Sequence, residues 1–233
     1  MAPGDDGRAT RWDAHRDQRR AELVQAAVRA IDRHGPDVGI AEIAAEAGVS
    51  KPVLYRYFAD KDELHAAVGQ WGANEVLSRL LPALKSDRPV RERISDAVDS
   101  YLATLEQHPQ VFLLLVRHRG SDPLAHGKAT IVAALSRVLG DTLRGLHLDA
   151  GGAEPWAEGV VGLGLATGEW WLERQTMSRA AAGRYLSAFV WHALDGAAAE
   201  LGVPLSALDH PSSGSRRATR PAGEPIPFRR KRP

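Results

Sequence analysis

Gly48 stands between two short apolar stripes, and no other feature so narrows what this chain can fold into. In the segment from Ile40 to Leu64, IAEIAAEAGVSKPVLYRYFADKDEL, the residues Ile43, Ala44 and Ala47 recur at the spacing that lines one face of a short helix. A glycine directly after such a stripe can adopt the left-handed conformation that ends a helix. Val49 then packs the turn and Ser50 offers its hydroxyl as N-cap of the next helix. Pro52 falls in the first turn, where its missing N–H costs nothing. In the second helix Leu54 and Phe58 lie four apart and point inward, leaving Lys51, Val53, Tyr55, Arg56 and Tyr57 on the other faces. Two cations and two tyrosines near a helix N-terminus resemble the surface of a recognition helix that enters a major groove. On the helix-glycine-helix pattern alone, the alternative is an ordinary turn between two surface helices.

The string AGVS followed by LYRYF and then Lys61 resembles the DNA-binding segment of the TetR family of bacterial transcriptional regulators. That resemblance is specific over residues 18–66; beyond them it rests on length and helical pattern. It implies an all-α fold of about nine helices, an N-terminal three-helix helix-turn-helix domain and a larger C-terminal helical domain for effector binding and dimerisation. The expected divisions are a flexible N-terminal arm at 1–17, the DNA-binding domain at 18–66, the effector and dimerisation domain at 67–205, and a basic flexible tail at 206–233. The resemblance also implies that Lys51, Pro52 and Val53 sit deepest in the groove, that Arg56 reaches a base or a phosphate, and that Tyr55, Tyr57 and Lys61 grip the phosphate backbone. Ser50 belongs to the same DNA-binding set, and Arg19 and Arg20 are expected near the backbone. Two departures from the family pattern stand out: Pro36 where an aromatic commonly follows the glycine, and Gly39 where a Thr or Ser commonly caps the next helix. Glycine is an acceptable N-cap, so the fold survives.

Charge alone argues less clearly for a nucleic-acid partner. The formal net charge is +1, and residues 18–66 hold seven Lys/Arg against eight Asp/Glu. Yet Gly48 to Phe58 contains Lys51 and Arg56 and no acid, so the local field is positive. Residues 211–233 carry seven Lys/Arg against Glu224 alone, a tail that either adds nonspecific phosphate contacts or is simply solvated. Hydrophobic residues make up 44% and charged residues 25%, the balance of a soluble globular protein. No window is apolar enough for a membrane span, the N-terminus lacks the apolar core of a secretory signal, and a chain without cysteine fits a reducing cytoplasm.

From Met1 to about Asp17 no periodicity is evident, apart from a possible anchor at Trp12, and the first helix is expected from near Gln18 to His34-Gly35-Pro36. Leu23, Ala27 and Ala30 form its stripe, with Val24 and Ile31 beside it. A lever helix opens at Asp60 or Lys61, carries Leu64, Val68, Trp71 and Leu77, and is expected to stop at Pro82. Four or five helices follow, with no alternation of period two and hence no sheet. The last two are unusual, because Gly159, Gly162, Gly164 and Gly168 each weaken a helix interior by about 1 kcal/mol against alanine. Close approach of another helix is the expected compensation. Two long helices facing their copies would form an isologous four-helix dimer interface from Gly159, Gly164, Gly168, Trp171, Phe189, Ala193 and Ala197; tight packing inside one monomer is the alternative. Such a dimer would set its reading heads about 34 to 36 Å apart, or a multiple of that, and read a palindrome.

The resemblance further implies an effector pocket in the C-terminal helices. Trp71, Tyr101, Leu105, Phe112, Leu115 and Trp170 could line it, with Arg117, His118 and Arg119 offering cations at its mouth and a fully packed core as the alternative. An apolar effector follows, either a fatty acid or acyl thioester such as an acyl-CoA, or a hydrophobic drug-like molecule. The function implied is a ligand-responsive transcriptional regulator, a repressor released from its operator by the effector; the alternative is an effector-independent architectural or activating DNA-binding protein. Enzyme motifs fail one by one. Gly127-Lys128 follows Gly120 at the wrong distance for a phosphate loop and precedes Ala129 rather than Ser or Thr, and no Gly-x-Ser-x-Gly elbow occurs. His118 and His126 lack the spacing of a helical zinc pair, so neither a metal nor another cofactor is expected.

Overall fold

The computed structural model describes residues 6–117 and 123–209, and all regular structure among them is helical. Its elements are α1 (Asp6–His34), α2 (Ile40–Glu46), α3 (Lys51–Leu54), α4 (Lys61–Leu84), α5 (Val90–Gln107), α6 (Pro109–Arg117), α7 (Pro123–Gly145), α8 (Ala153–Arg174) and α9 (Arg179–Glu200), followed by a 3₁₀ turn at Leu205–Asp209. The all-α class and the helix-turn-helix before a larger helical body are as the sequence leads one to expect.

Two large cores, with a smaller cluster of Val132, Ala157 and Val161 between α7 and α8, organise these elements. The first gathers Leu23, Val24, Ala27, Ala30 and Ile31 of α1, Ile43 and Ala44 of α2, Leu54 and Phe58 at α3, and Leu64 and Val68 of α4. Val111, Leu114 and Leu115 of α6 belong to it as well, so the N-terminal head is seated on α6 and not only hinged at α4. The second joins α5, α8 and α9 through Ile94, Leu102, Leu105, Trp171, Leu186, Val190 and Trp191. Between the cores run α4 and α7, packed closely enough that a Cβ on Gly127 would lie 2.7 Å from the carbonyl oxygen of Gly69. The Gly127-Lys128 pair is therefore a helix-crossing feature, with Gly127 permitting the contact.

Three boundaries differ from expectation. α1 starts at Asp6, not near Gln18; residues 14–18 are exposed, and helicity there follows from continuity with the packed part. α4 continues through Pro82 to Leu84: the proline gives up its own bond to the Ser78 carbonyl, but the ladder resumes after it, the Lys85 N–H donating to the Leu81 carbonyl at 3.1 Å. Trp12's side chain, His118, Arg119 and residues 210–233 lie outside the described residues. The segment placed at the start of the tail, residues 206–209, is part of the body: the Val90 N–H donates to Asp209 Oδ1 at 2.6 Å and the Ser206 N–H to Asp195 Oδ1 at 3.3 Å.

Candidate functional site

The turn between α2 and α3 is built as the glycine requires. Gly48 has φ +64°, its N–H donates to the Ala45 carbonyl, and the Val49 N–H donates to the Ala44 carbonyl at 3.0 Å, which is the paired closure of a helix ended by a left-handed residue. Ser50 occupies the N-cap of α3 but its hydroxyl makes no capping bond, contrary to expectation. The reason is local. Pro52 has no N–H to give, and the Val53 N–H is already taken by the Ser50 carbonyl at 3.0 Å, so the hydroxyl, on an exposed residue, has no orphan donor to accept from.

Leu54 and Phe58 are buried, which fixes the rotation of α3 and turns the other side chains outward. Lys51, Pro52, Tyr55 and Arg56 are exposed, Val53, Tyr57 and Lys61 half-buried. Tyr55 keeps 46% of its surface accessible, a large apolar ring with no intramolecular reason to be there. Helix α4 begins beside this surface with Asp60 as N-cap, accepting from the Glu63 N–H at 2.8 Å, while Glu63 Oε2 accepts from the Ala59 N–H at 2.7 Å.

The distribution of charge answers the negative sum of residues 18–66. Glu22 pairs with Arg19, Glu63 with Arg20 at 2.9 Å, and Glu46 with Arg29 and Arg33. The Ala59 amide and then Arg20 hold the Glu63 carboxyl below the usual carboxylate range, and Arg29 above all does the same for Glu46. Arg20 also stacks on Phe58, 4.6 Å from the ring centre. Three of the head's eight acids, Glu22, Glu46 and Glu63, are thus paired with arginines of α1, whereas among the described residues neither Lys51 nor Arg56 has a carboxylate partner.

In the body, two apolar cavities adjoin. The larger, about 180 Å³, lies among α4, α5, α7, α8 and α9 and includes Leu80, Ile94, Val138, Leu139, Val190 and Leu205 in its walls. The smaller, about 80 Å³, faces the head and is lined by Trp71, Tyr101, Leu105, Phe112 and Leu115, five of the seven residues expected around an effector. Of the other two, Trp170 is 42% exposed on the outside and takes no part in either cavity; Arg119 lies outside the described residues. Tyr101 borders both cavities. Its hydroxyl donates to the Gly164 carbonyl at 2.8 Å, and desolvation pushes its phenol above the ordinary tyrosine range. His108, also on the smaller cavity, has Nδ1 2.7 Å from Asp32 Oδ2 of α1 and Trp71 edge-on at 5.0 Å. Sequence reasoning missed both the larger cavity and this link, because neither a gap in packing nor a contact between residues far apart along the chain leaves a local signal.

The residues assigned to a dimer face divide. Gly164 and Gly168 point inward: a Cβ on Gly168 would lie 2.6 Å from both Leu105 Cδ2 and the Tyr101 hydroxyl. Trp171 is 6% exposed, with Nε1 donating to the Met177 carbonyl at 3.0 Å. These three serve the monomer's own core. Gly159, Phe189 and Ala193 are exposed and Ala197 half-exposed. Gly159, Gly162, Ala166 and Trp170 share the outer face of α8, and Tyr185, Phe189, Ala193 and Gly196 that of α9. Tyr185 and Phe189 are 69% and 64% exposed. Tyr185 was missed, although its spacing of four from Phe189 marks a common face.

Residues 23–68 match the family model described as bacterial regulatory proteins, tetR family, and residues 79–205 match that of the tetracyclin repressor-like C-terminal domain. An uncharacterised HTH-type transcriptional regulator of Mycobacterium tuberculosis is 35% identical over 196 residues, 82% of this chain and 83% of the relative. The HTH-type transcriptional activator FasR of Mycolicibacterium smegmatis is 33% identical over 161 residues, 67% of this chain and 74% of FasR. Among solved structures, a tetR-family regulator from Streptomyces coelicolor superposes with a TM-score of 0.66 at 24% identity, covering 85% of this chain and 92% of that one. FadR of Bacillus subtilis, solved in complex with stearoyl-CoA, gives 0.60 at 16% identity, covering 73% and 96%.

Proposed function

The chain belongs to the TetR family of bacterial transcriptional regulators, and from that membership we propose that it is a dimeric repressor whose grip on a palindromic operator is released by a small hydrophobic effector. It is a regulator and not an enzyme. The observation that supports the DNA reading is that, among the described residues, Lys51 and Arg56 have no carboxylate partner beside the exposed Tyr55, while Glu22, Glu46 and Glu63 of the same head are paired with α1. Lys51, Pro52 and Val53 enter the major groove, lysine donating to guanine acceptors and valine meeting a thymine methyl. Arg56 reaches a base or a phosphate. Ser50, with its hydroxyl uncommitted, Tyr55, Tyr57 and Lys61 hold phosphates and set register.

One head contacts few bases, so two must act together. The exposed aromatic and small residues of α8 and α9 supply a self-complementary face, with Gly159, Gly162 and Ala166 allowing close approach and Trp170, Tyr185 and Phe189 supplying buried area. The effector enters the cavities around Tyr101. Filling the smaller one displaces the wall formed by Trp71 and His108, and through Asp32 and α4 the head turns. An acyl compound is one candidate class, supported by the stearoyl-CoA bound to FadR; a drug-like apolar molecule is the other.

Anisotropy titration of the full chain against its own upstream promoter DNA tests this, with sedimentation to read the stoichiometry. Saturable binding of two copies, reversed by an effector of either class, is expected. A monomer indifferent to that DNA at low salt would overturn the reading. A second reading, activation, is favoured by the relative FasR being an activator; a promoter-reporter assay in a deletion strain separates the two by sign.

A further inference from the structure

The two cavities carry different electrostatics. In the smaller one both ionic wall residues are already paired, Lys128 with Glu158 at 2.7 Å and Glu75 with Arg79 at 2.6 Å. Among the described residues the larger has a single charged residue in its wall, Arg93 of α5. Its Nη1 donates to the Leu84 carbonyl at 3.1 Å, which is a neutral acceptor. Its Nε is buried and meets no acceptor among the described residues. A guanidinium is always protonated and offers five donors in a planar fork suited to an oxyanion. Burying part of that fork against an apolar cavity without an anion is costly, because a charged donor left unsatisfied loses its hydration with nothing in return. Other arginines of the head and body, among them Arg20, Arg79, Arg88, Arg117 and Arg179, have carboxylate partners.

We propose that Arg93 anchors the anionic end of a ligand whose alkyl part lies in the larger cavity, so that this chain selects chain-bearing acids over the corresponding alcohols. The inference rests on the reading that the cavities receive an effector, and it adds the charge of the ligand and the residue that reads it. Arg93 stands where α4 ends and α5 begins, close to Val90 and to the Leu205–Asp209 turn. It is half-buried, so an anion there keeps partial access to water while the chain runs inward along Ile94, Ala97 and Val98 to Tyr101. The anion can be a free carboxylate or the phosphates of an acyl thioester, since either accepts from the same fork.

Calorimetric titration with decanoate, decanoyl-coenzyme A and decan-1-ol distinguishes these sources. On the unaltered full chain at least one anion should bind about tenfold or more tighter than the alcohol. In Arg93→Gln that preference should fall to about one, with alcohol binding retained, and Arg93→Lys should keep part of it. Whichever anion loses its advantage names the source. Equal binding of all three to the unaltered chain would overturn the proposal without any variant, which covers the case that Arg93→Gln fails to fold. A preference that survives in a folded Arg93→Gln would overturn it too, while leaving the effector reading intact. Binding of none of the three, alongside release of operator by a drug-like molecule, would reject the acidic ligand alone; no response to any ligand would reject the effector reading.

Discussion

Leu23, Ile43, Leu54 and Phe58 in the head are each no more than 1% exposed, whereas Ile131, Val138 and Leu139 in the body remain half-buried around a cavity of about 180 Å³. The two regions are made of the same kind of helix and differ in what their packing must accomplish. On the proposed function the head has to hold Lys51 and Arg56 at a fixed angle, and a close-packed core without slack does that. A body that receives a ligand needs unfilled volume and a wall able to take two positions. The difference predicts opposite responses to changes of side-chain volume.

The largest effect is expected from emptying the head. Phe58→Ala removes a side chain that packs against Leu54 and Leu64 and carries Arg20 on its face, and should destabilise the protein by about 3 to 5 kcal/mol. Thermal unfolding together with operator titration measures it; loss of DNA binding at temperatures where the body's helicity persists would sharpen the contrast. Filling space between helices comes next. Gly127→Ala puts a Cβ 2.7 Å from the Gly69 carbonyl oxygen, a backbone atom that cannot swing aside, so α4 and α7 must part at a cost of about 1 to 3 kcal/mol. By contrast Ile131→Phe, which points volume into both cavities, should leave the melting temperature within a few degrees, equivalent to about 1 kcal/mol or less, and abolish effector release. If Ile131→Phe unfolded the chain, the body would be as tightly packed as the head and the comparison would fail.

At the DNA surface, Lys51→Ala should weaken operator binding by roughly 1 to 3 kcal/mol and relax preference at one base pair per half-site. Lys61→Ala should weaken all sequences alike and lower the salt slope by about one. Titrations at several ionic strengths separate them. A change of base preference in Lys61→Ala would reverse the two roles.

How legible these regions are in the sequence follows from the same contrast. The head is written in local signals: Gly48 with its positive φ, apolar residues three and four apart, Pro52 in a first turn. Its contact with Val111 and Leu114 of α6 is tertiary and left no such mark. In α8 the composition pointed to close approach of another helix, which Gly168 makes against Leu105 and Tyr101, but not to which way each glycine faces. That is a matter of helical phase, which sets Gly164 and Gly168 against Tyr101 and Leu105 while Gly159 and Gly162 face out. Arg93 carried a faint signal, a cation three residues from Val90 at the edge of an otherwise apolar stripe.

The smallest effect expected concerns acid. Glu63 accepts from the Ala59 amide and Arg20, and Glu46 from Arg29 and Arg33; both carboxyls titrate below their ordinary value in the folded chain. A depressed folded pKa means that unfolding takes up protons. The stability these groups contribute is therefore fully present above the ordinary glutamate value of about 4.3 and is lost as pH falls through the lower folded value. Both pairs are solvent-accessible, so the loss is small and screened by salt. It falls on the joints that hold α2 and the start of α4 to α1, and hence on the head. Amide exchange across this pH range should rise in α2 and α3 before α5, and Glu63→Gln should flatten the acid limb at the start of α4. Simultaneous loosening of α3 and α5 would mean that the head and the body unfold as one unit, with the shared core of Val111 and Leu114 outweighing the surface pairs.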